Sequence, residues 1–152
     1  MSKSKSLVAW SDEFSLGMPE IDAQHQMLIE LINQVWLAII PSKPDQEQTV
    51  RIVEELEKYT LTHFTEEEIF MRKMGYLKFK EHKEAHEQLV ARIAQEKEKI
   101  ASGQRLTLDI VYFLRDWLIN HILVSDKEYV AEFKKQSTPA SALGRFFKRF
   151  RR

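Results

Sequence analysis

From Val53 to Met74, the residues Val53, Leu56, Thr60, His63, Glu67, Phe70 and Met74 recur at spacings that alternate between three and four. That rhythm lays them along one face of an α-helix. A face that mixes aliphatic side chains with His and Glu must be covered by other helices, and the sequence supplies three more. The first stretch runs from about Glu20 to Ile40 through Ile21, His25, Leu28, Ile32, Val35 and Ile39. The third reads Phe79, His82, His86, Leu89, Ile93 and Ile100, and the fourth runs from about Leu106 to Phe133 through Ile110, Leu114, Trp117 and His121. The breaks between them are short: Pro41-Ser42-Lys43-Pro44, Gly75 and Ser102-Gly103. Prolines cannot continue a helix, and a glycine suits the left-handed residue that ends one. The spacing predicts an all-α fold, an antiparallel up-down-up-down four-helix bundle over residues 20–133. An arm over 1–19 precedes it and a basic tail over 134–152 follows. With only four Gly and four Pro in 152 residues, there is little turn chemistry for a sheet of many short strands.

The formal net charge of zero conceals a division. Residues 134–152 hold seven basic side chains and no acidic one, so the first 133 carry 16 basic against 23 acidic. The chain has no Cys, which excludes disulfides, thiolate zinc sites, iron–sulfur clusters and a Cys nucleophile. No apolar run approaches the roughly 18 residues of a membrane span. The apolar run of MSKSKSLVAW stops at four residues, too short for a signal peptide. The expected location is the cytoplasm, and nothing points to nucleic acid as a partner.

All five His fall on or beside a core-facing stripe. A buried imidazole is costly unless both nitrogens find partners, and a bundle core offers few. A shared metal satisfies them together. His63 and Glu67 lie four apart, as do His82 and His86, so each pair projects from one side of its helix. His121 and Asp126 are five apart, about 140° around an ideal helix. For both to bind metal, the carboxylate must swing in from the side or the helix must carry a π-bulge. Five imidazoles, two bridging carboxylates and one bridging oxygen would fill all but one position of two six-coordinate ions. That suits a dinuclear iron centre with one vacancy and poorly suits a closed, tetrahedral structural zinc. Neither His-Glu-x-x-His nor Glu-x-x-His occurs, which excludes the zinc-protease motif and disfavours a ferritin-like carboxylate site.

The segments GMPEIDAQH (17–25), HFTEEEIFM (63–71), HKEAH (82–86) and WLINHILVSD (117–126) resemble the hemerythrins, in particular the single-domain bacteriohemerythrins. The likeness runs from about Trp10 to Phe133. It implies two non-haem irons, one held by His82, His86 and His121 and the other, with the open position, by His25 and His63. Glu67 and Asp126 would bridge them beside an oxo or hydroxo group. The likeness further implies that Leu28, Phe64, Trp117, Leu118 and Ile122 wall the O2 pocket. Glu66 and Glu68, which flank Glu67, are expected to be solvated surface charge. Trp10 is expected to pack the arm onto the bundle. Where the family often has Pro after Tyr76, this chain has Leu77, a change expected at the turn between the second and third helices.

The resemblance implies reversible O2 binding, for storage or delivery to an oxygen-consuming enzyme, rather than an enzymatic activity. Two alternatives remain at this point. One is oxygen or redox sensing through a partner protein, and the other is peroxide or nitric oxide chemistry at the same irons. The segment SALGRFFKRFRR (141–152) lies outside the resemblance. It sets Leu143, Phe146, Phe147 and Phe150 among Arg and Lys, a composition suited to an anionic membrane surface or an acidic partner.

Overall fold

The computed structural model describes residues 6–136. Its helices are α1 (Pro19–Ile39), α2 (Gln46–Lys73), α3 (Phe79–Ala101), α4 (Leu108–Asn120) and α5 (Lys127–Lys135). Between α4 and α5, His121–Asp126 forms a π-helical segment, so residues 108–135 make one continuous rod. With this rod as the fourth member, the described residues form the expected four-helix bundle, in which α1 packs on α2 and α4, and α2 on α3. Among the described residues no helix is long and apolar enough to cross a membrane. The expected tail segment 141–152 lies outside the described residues.

The boundaries follow local chemistry. Pro19 opens α1, where a missing N–H costs nothing. The Asp45 side chain caps α2 by accepting from the Gln48 N–H at 3.2 Å. At the end of α2, Gly75 takes φ +69°. The Tyr76 N–H reaches back to the Met71 carbonyl and the Gly75 N–H to Arg72, at 3.0 and 3.1 Å. This pattern satisfies carbonyls the helix would otherwise leave unpaired. The same pattern closes α3 at Gly103. The turn with Leu77 is well formed, and it leaves that side chain 95% exposed.

The arm is fastened by polar clasps as well as by packing. The Asn33 side chain of α1 accepts from the Leu7 and Val8 N–H groups, both at 2.9 Å, and donates to the Val8 carbonyl at 2.8 Å. Each such bond contributes about 1 kcal/mol net. Asp22 accepts from the Leu16 N–H at 2.9 Å and the Ser15 hydroxyl at 2.5 Å. Trp10 stands edge-on to Phe14, with centroids 5.7 Å apart, against the apolar core.

Candidate metal centre

Each helix presents its stripe to the bundle axis, and the seven candidate ligands meet there. His25 comes from α1, His63 and Glu67 from α2, His82 and His86 from α3; all five are buried. His121 and Asp126 are the first and last residues of the π segment. In an i→i+5 turn, residues five apart stand almost one above the other, which an α-helix denies them. The bulge resolves the spacing problem posed by the sequence.

The donor atoms fall into two sets that share Glu67 and Asp126: one with His82, His86 and His121, the other with His25 and His63. In the first set, His121 Nε2 lies 3.0 Å from His86 Nε2 and 3.1 Å from His82 Nε2. Asp126 Oδ1 is 3.2 Å from His82 Nε2 and 3.3 Å from His121 Nε2, while its Oδ2 is 3.1 Å from His25 Nε2. Glu67 Oε1 lies 3.4 Å from both His63 Nε2 and His86 Nε2. Each carboxylate thus faces both sets.

This arrangement fits a cation. The His86 Nδ1 donates to Glu68 Oε2 at 2.8 Å, and the His63 Nδ1 donates to Gln24 Oε1. Each neutral ring then turns a lone pair inward. His63 and His86 aim those lone pairs at a carboxylate oxygen, acceptor against acceptor. Glu67 Oε1, Asp126 Oδ1 and both nitrogens of His25 are buried without a hydrogen bond, and such orphans are rare unless a site has a further occupant. Nitrogens 3.0–3.1 Å apart match the edge of a six-coordinate ion with bonds of about 2.1 Å. A tetrahedral ion would spread them to about 3.4 Å. Burial lowers the pKa of His63, but the carboxylates of Glu67, Asp126 and Glu66 outweigh it and hold it above the ordinary value. Burial and Asp126 push the Glu67 carboxyl up, yet His63 and His86 prevail and keep it well below the carboxylate range. Asp126 is depressed likewise, with His121, His25 and His82 overcoming burial. The pocket is electrically prepared for positive charge.

The supporting shell corrects one expectation. Glu66 is buried, not solvated: its Oε2 accepts from Gln24 Nε2 at 3.0 Å, completing a chain from Glu66 through Gln24 to His63. Glu68 orients His86. With successive side chains about 100° apart, Glu66 faces α1, Glu67 the axis and Glu68 α3. Tyr129 donates to Glu67 Oε2 at 2.8 Å. Burial, then the charges of Glu67 and Asp126, hold its phenol well above the ordinary pKa, so it remains a donor. Gln24 escaped the sequence reading as a functional residue, and Tyr129 was weighed there only as a possible supporting contact or an ordinary packed ring. The available signals were their positions, one before His25 and three after Asp126.

One turn from the histidines the chemistry turns apolar. In an antiparallel bundle, the next layer lies three residues after His25 and His86 and three before His63 and His121: Leu28, Leu89, Thr60 and Leu118. The layer beyond it is Ile32, Ile93, Leu56 and Leu114. Together with Phe64, these residues line a cavity of about 10 Å³, roughly the space of one small molecule. All nine are buried. Of the residues expected to wall the O2 pocket, Leu28, Phe64 and Leu118 lie here. Trp117 and Ile122 do not line the cavity. Trp117 stacks on His121, with centroids 4.4 Å apart and planes at 13°, and Ile122 is buried within the π segment. Phe64 stacks on His86 at 3.7 Å.

Comparison with known proteins agrees with this geometry. The profile of the hemerythrin HHE cation binding domain matches residues 16–133. The chain is 29% identical to a bacteriohemerythrin of Stenotrophomonas maltophilia, across 95% of this chain and 98% of that protein. It is 31% identical to a bacteriohemerythrin of Pseudomonas aeruginosa, across 94% and 97%. A solved wild-type hemerythrin superposes with a TM-score of 0.76 at 30% identity, covering 83% of this chain and 97% of that one. Non-haem iron is the cofactor such a likeness implies for the buried cluster, and the chain belongs to the hemerythrin family.

Proposed function

We propose that the protein binds O2 reversibly at a non-haem di-iron centre in the cytoplasm, as a store or as a supply for an oxygen-consuming enzyme. The observation that carries this reading is an asymmetry. Two shared carboxylates serve three imidazoles on one side and two on the other, next to a dry cavity of single-molecule size. His82, His86 and His121 would hold one iron, His25 and His63 the second, and Glu67 and Asp126 both. When bound, a pair of irons supplies the electrons that let O2 attach and leave again.

The chain's own residues do the rest. Glu68 and the Gln24–Glu66 pair fix the tautomers of His86 and His63, keeping Nε2 turned to the centre. Tyr129 holds one oxygen of Glu67 and leaves the other for the centre. Leu28, Phe64 and Leu118 exclude water, which disfavours charge separation and loss of an anion from the pocket. Imidazoles outnumber carboxylates five to two in the proposed ligand set. This limits the anionic charge that would favour highly oxidised iron and supports a carrier rather than an oxidising enzyme.

The test begins with iron-loaded protein, reduced without air and then exposed to it. A visible absorption band should rise in air and fall under vacuum over repeated cycles, at about two irons per chain. One-way conversion with consumption of peroxide or a co-substrate would favour an enzyme instead. His63→Ala should abolish the band while one iron remains bound; an unaltered O2 response in that variant would refute the assignment.

A further inference from the structure

A line of aromatic rings joins the buried donor cluster to the protein surface. Tyr129 is fully buried and stands edge-on to His82, with ring centroids 5.6 Å apart. Tyr76 follows, edge-on to Tyr129 with centroids 6.3 Å apart. The Tyr76 ring is buried, but its hydroxyl donates to Glu128 Oε1 at 3.2 Å. Glu128 Oε2 in turn accepts from Lys78 at 2.8 Å, and both of these charged side chains face solvent. Lys78 holds the Glu128 carboxyl below its ordinary pKa. Burial, and then the charge of Glu128, hold the Tyr76 phenol above its own. The phenol therefore keeps its proton and aims it at an ionised carboxylate. Packing alone asks only for a ring here: Phe70 and Phe133, with centroids 5.0 Å apart, fill the adjoining positions without a hydroxyl.

On the reading that the cluster holds redox-active iron, we propose that Tyr76 is a one-electron donor to the oxidised centre, with the Tyr129 ring as bridge and Glu128 as acceptor of the proton. A protein that carries O2 on reduced metal generates peroxide whenever O2 departs with electrons. Peroxide that returns withdraws electrons from the groups nearest to it, and the nearest are the imidazoles themselves. The ring line offers a replaceable source instead. Tyr76 sends one electron inward and passes its proton to Glu128, which leaves a phenoxyl radical beside a neutral carboxyl. A small one-electron donor from solvent, such as ascorbate, returns the electron, and Glu128 returns the proton. Two such passes deliver two electrons. The two protons released by the two ascorbate monoanions complete the conversion of one hydrogen peroxide into two waters. Trp117, stacked on His121, is the rival way out. The carboxylate next to it in sequence, Asp116, accepts from Arg115 at 2.7 Å, whereas the carboxylate beside Tyr76 accepts from the phenol itself.

The test uses full-length iron-loaded protein whose O2 band has first been measured through cycles of air and vacuum. The same sample is mixed with hydrogen peroxide and frozen at once for electron paramagnetic resonance, which should show a tyrosyl radical. Tyr76→Phe keeps the ring and should lose that signal, while iron content and the reversible O2 band stay at wild-type levels. Glu128→Gln should slow formation of the radical by about tenfold or more. After repeated additions of peroxide, peptide mass spectrometry should find severalfold more oxygen added to His82, His86 and His121 in Tyr76→Phe than in wild type. An unchanged tyrosyl signal in Tyr76→Phe, an equal rate in Glu128→Gln, or a tryptophanyl signal in place of the tyrosyl one overturns the proposal. So does the absence of any radical from protein whose O2 band cycles normally. A band that fails to cycle, with the tyrosyl radical formed in wild type and lost in Tyr76→Phe, strikes the carrier reading and supports the relay.

Discussion

The two halves of the candidate metal centre are built to different standards. The three-imidazole half is braced from outside: Phe64 lies flat on His86, Trp117 lies flat on His121, and Glu68 fixes the tautomer of His86. The two-imidazole half has one braced ring, His63, held by the Gln24–Glu66 pair, and one ring, His25, whose two nitrogens have no hydrogen bond. Rigidity and the larger donor set go together on one side, latitude and the smaller donor set on the other. A ligand that must come and go belongs on the second.

The severest break is to remove what both halves share. Glu67→Ala should empty the site, lowering iron content by more than about tenfold as measured by metal analysis after dialysis. It should also leave His63 and His86 without their carboxylate and the Tyr129 hydroxyl without its acceptor, so the melting temperature should fall as well. Iron retained at wild-type stoichiometry would show that Glu67 is not a shared ligand.

Removal of a brace should separate the halves. Gln24→Leu frees His63 and should weaken iron binding at the two-imidazole set by about 10- to 100-fold. Glu68→Gln keeps an acceptor for His86 and should cost less, because two other imidazoles remain in that set. Stepwise chelator titration measures both. If the two variants lost the same iron to the same extent, the asymmetry would have no energetic content.

Acidity provides a gentler test on metal-free protein. Glu67 and Asp126 have depressed pKa values in the fold. Their contribution is therefore complete above the unfolded carboxyl pKa of about 4 and drains as pH falls. His63 is raised, so its contribution is present below its unfolded value of about 6.5 and is lost as pH rises through its folded pKa. Thermal unfolding should show greatest stability between about pH 5 and 6.5. His63→Ala should flatten the alkaline side of that curve and leave an acid limb.

The smallest effect is expected where a residue is superfluous to the register. Deletion of Val124, whose apolar side chain is 58% exposed, should turn the π segment into ordinary α-helix. His121 and Asp126 would then stand four apart and still share a face, and Tyr129 would keep its place. Iron affinity should change by less than about tenfold, whereas insertion of an Ala after Val124 should abolish it.

These contrasts also explain what the sequence made legible. The regular helices announced His63–Glu67 and His82–His86 through simple periodicity, and the five-residue gap before Asp126 announced a local departure from it. The leucine layers were legible because they continue the stripes, whereas Phe64 entered only through the family resemblance. Glu66 and Glu68 were not, since a run of three Glu has the same sequence whether its members face water or three different neighbours. Only the placement of α1 and α3 against α2 decides between those cases. Gln24 has the same difficulty: an amide beside a His reads as surface until a carboxylate from another helix meets it.

The cavity beside the histidines has a consequence for timing. All nine of its wall residues are buried and come from all four helical rods, so on the proposed function admission of O2 would depend on side chains parting for an instant. Passage would then be counted in openings per second and would quicken with temperature as those openings do. Affinity, set at the metal, could be altered without touching that rate. Truncation of Leu118 or Phe64 would be expected to change how fast a ligand arrives and escapes before it changes how tightly the ligand is held.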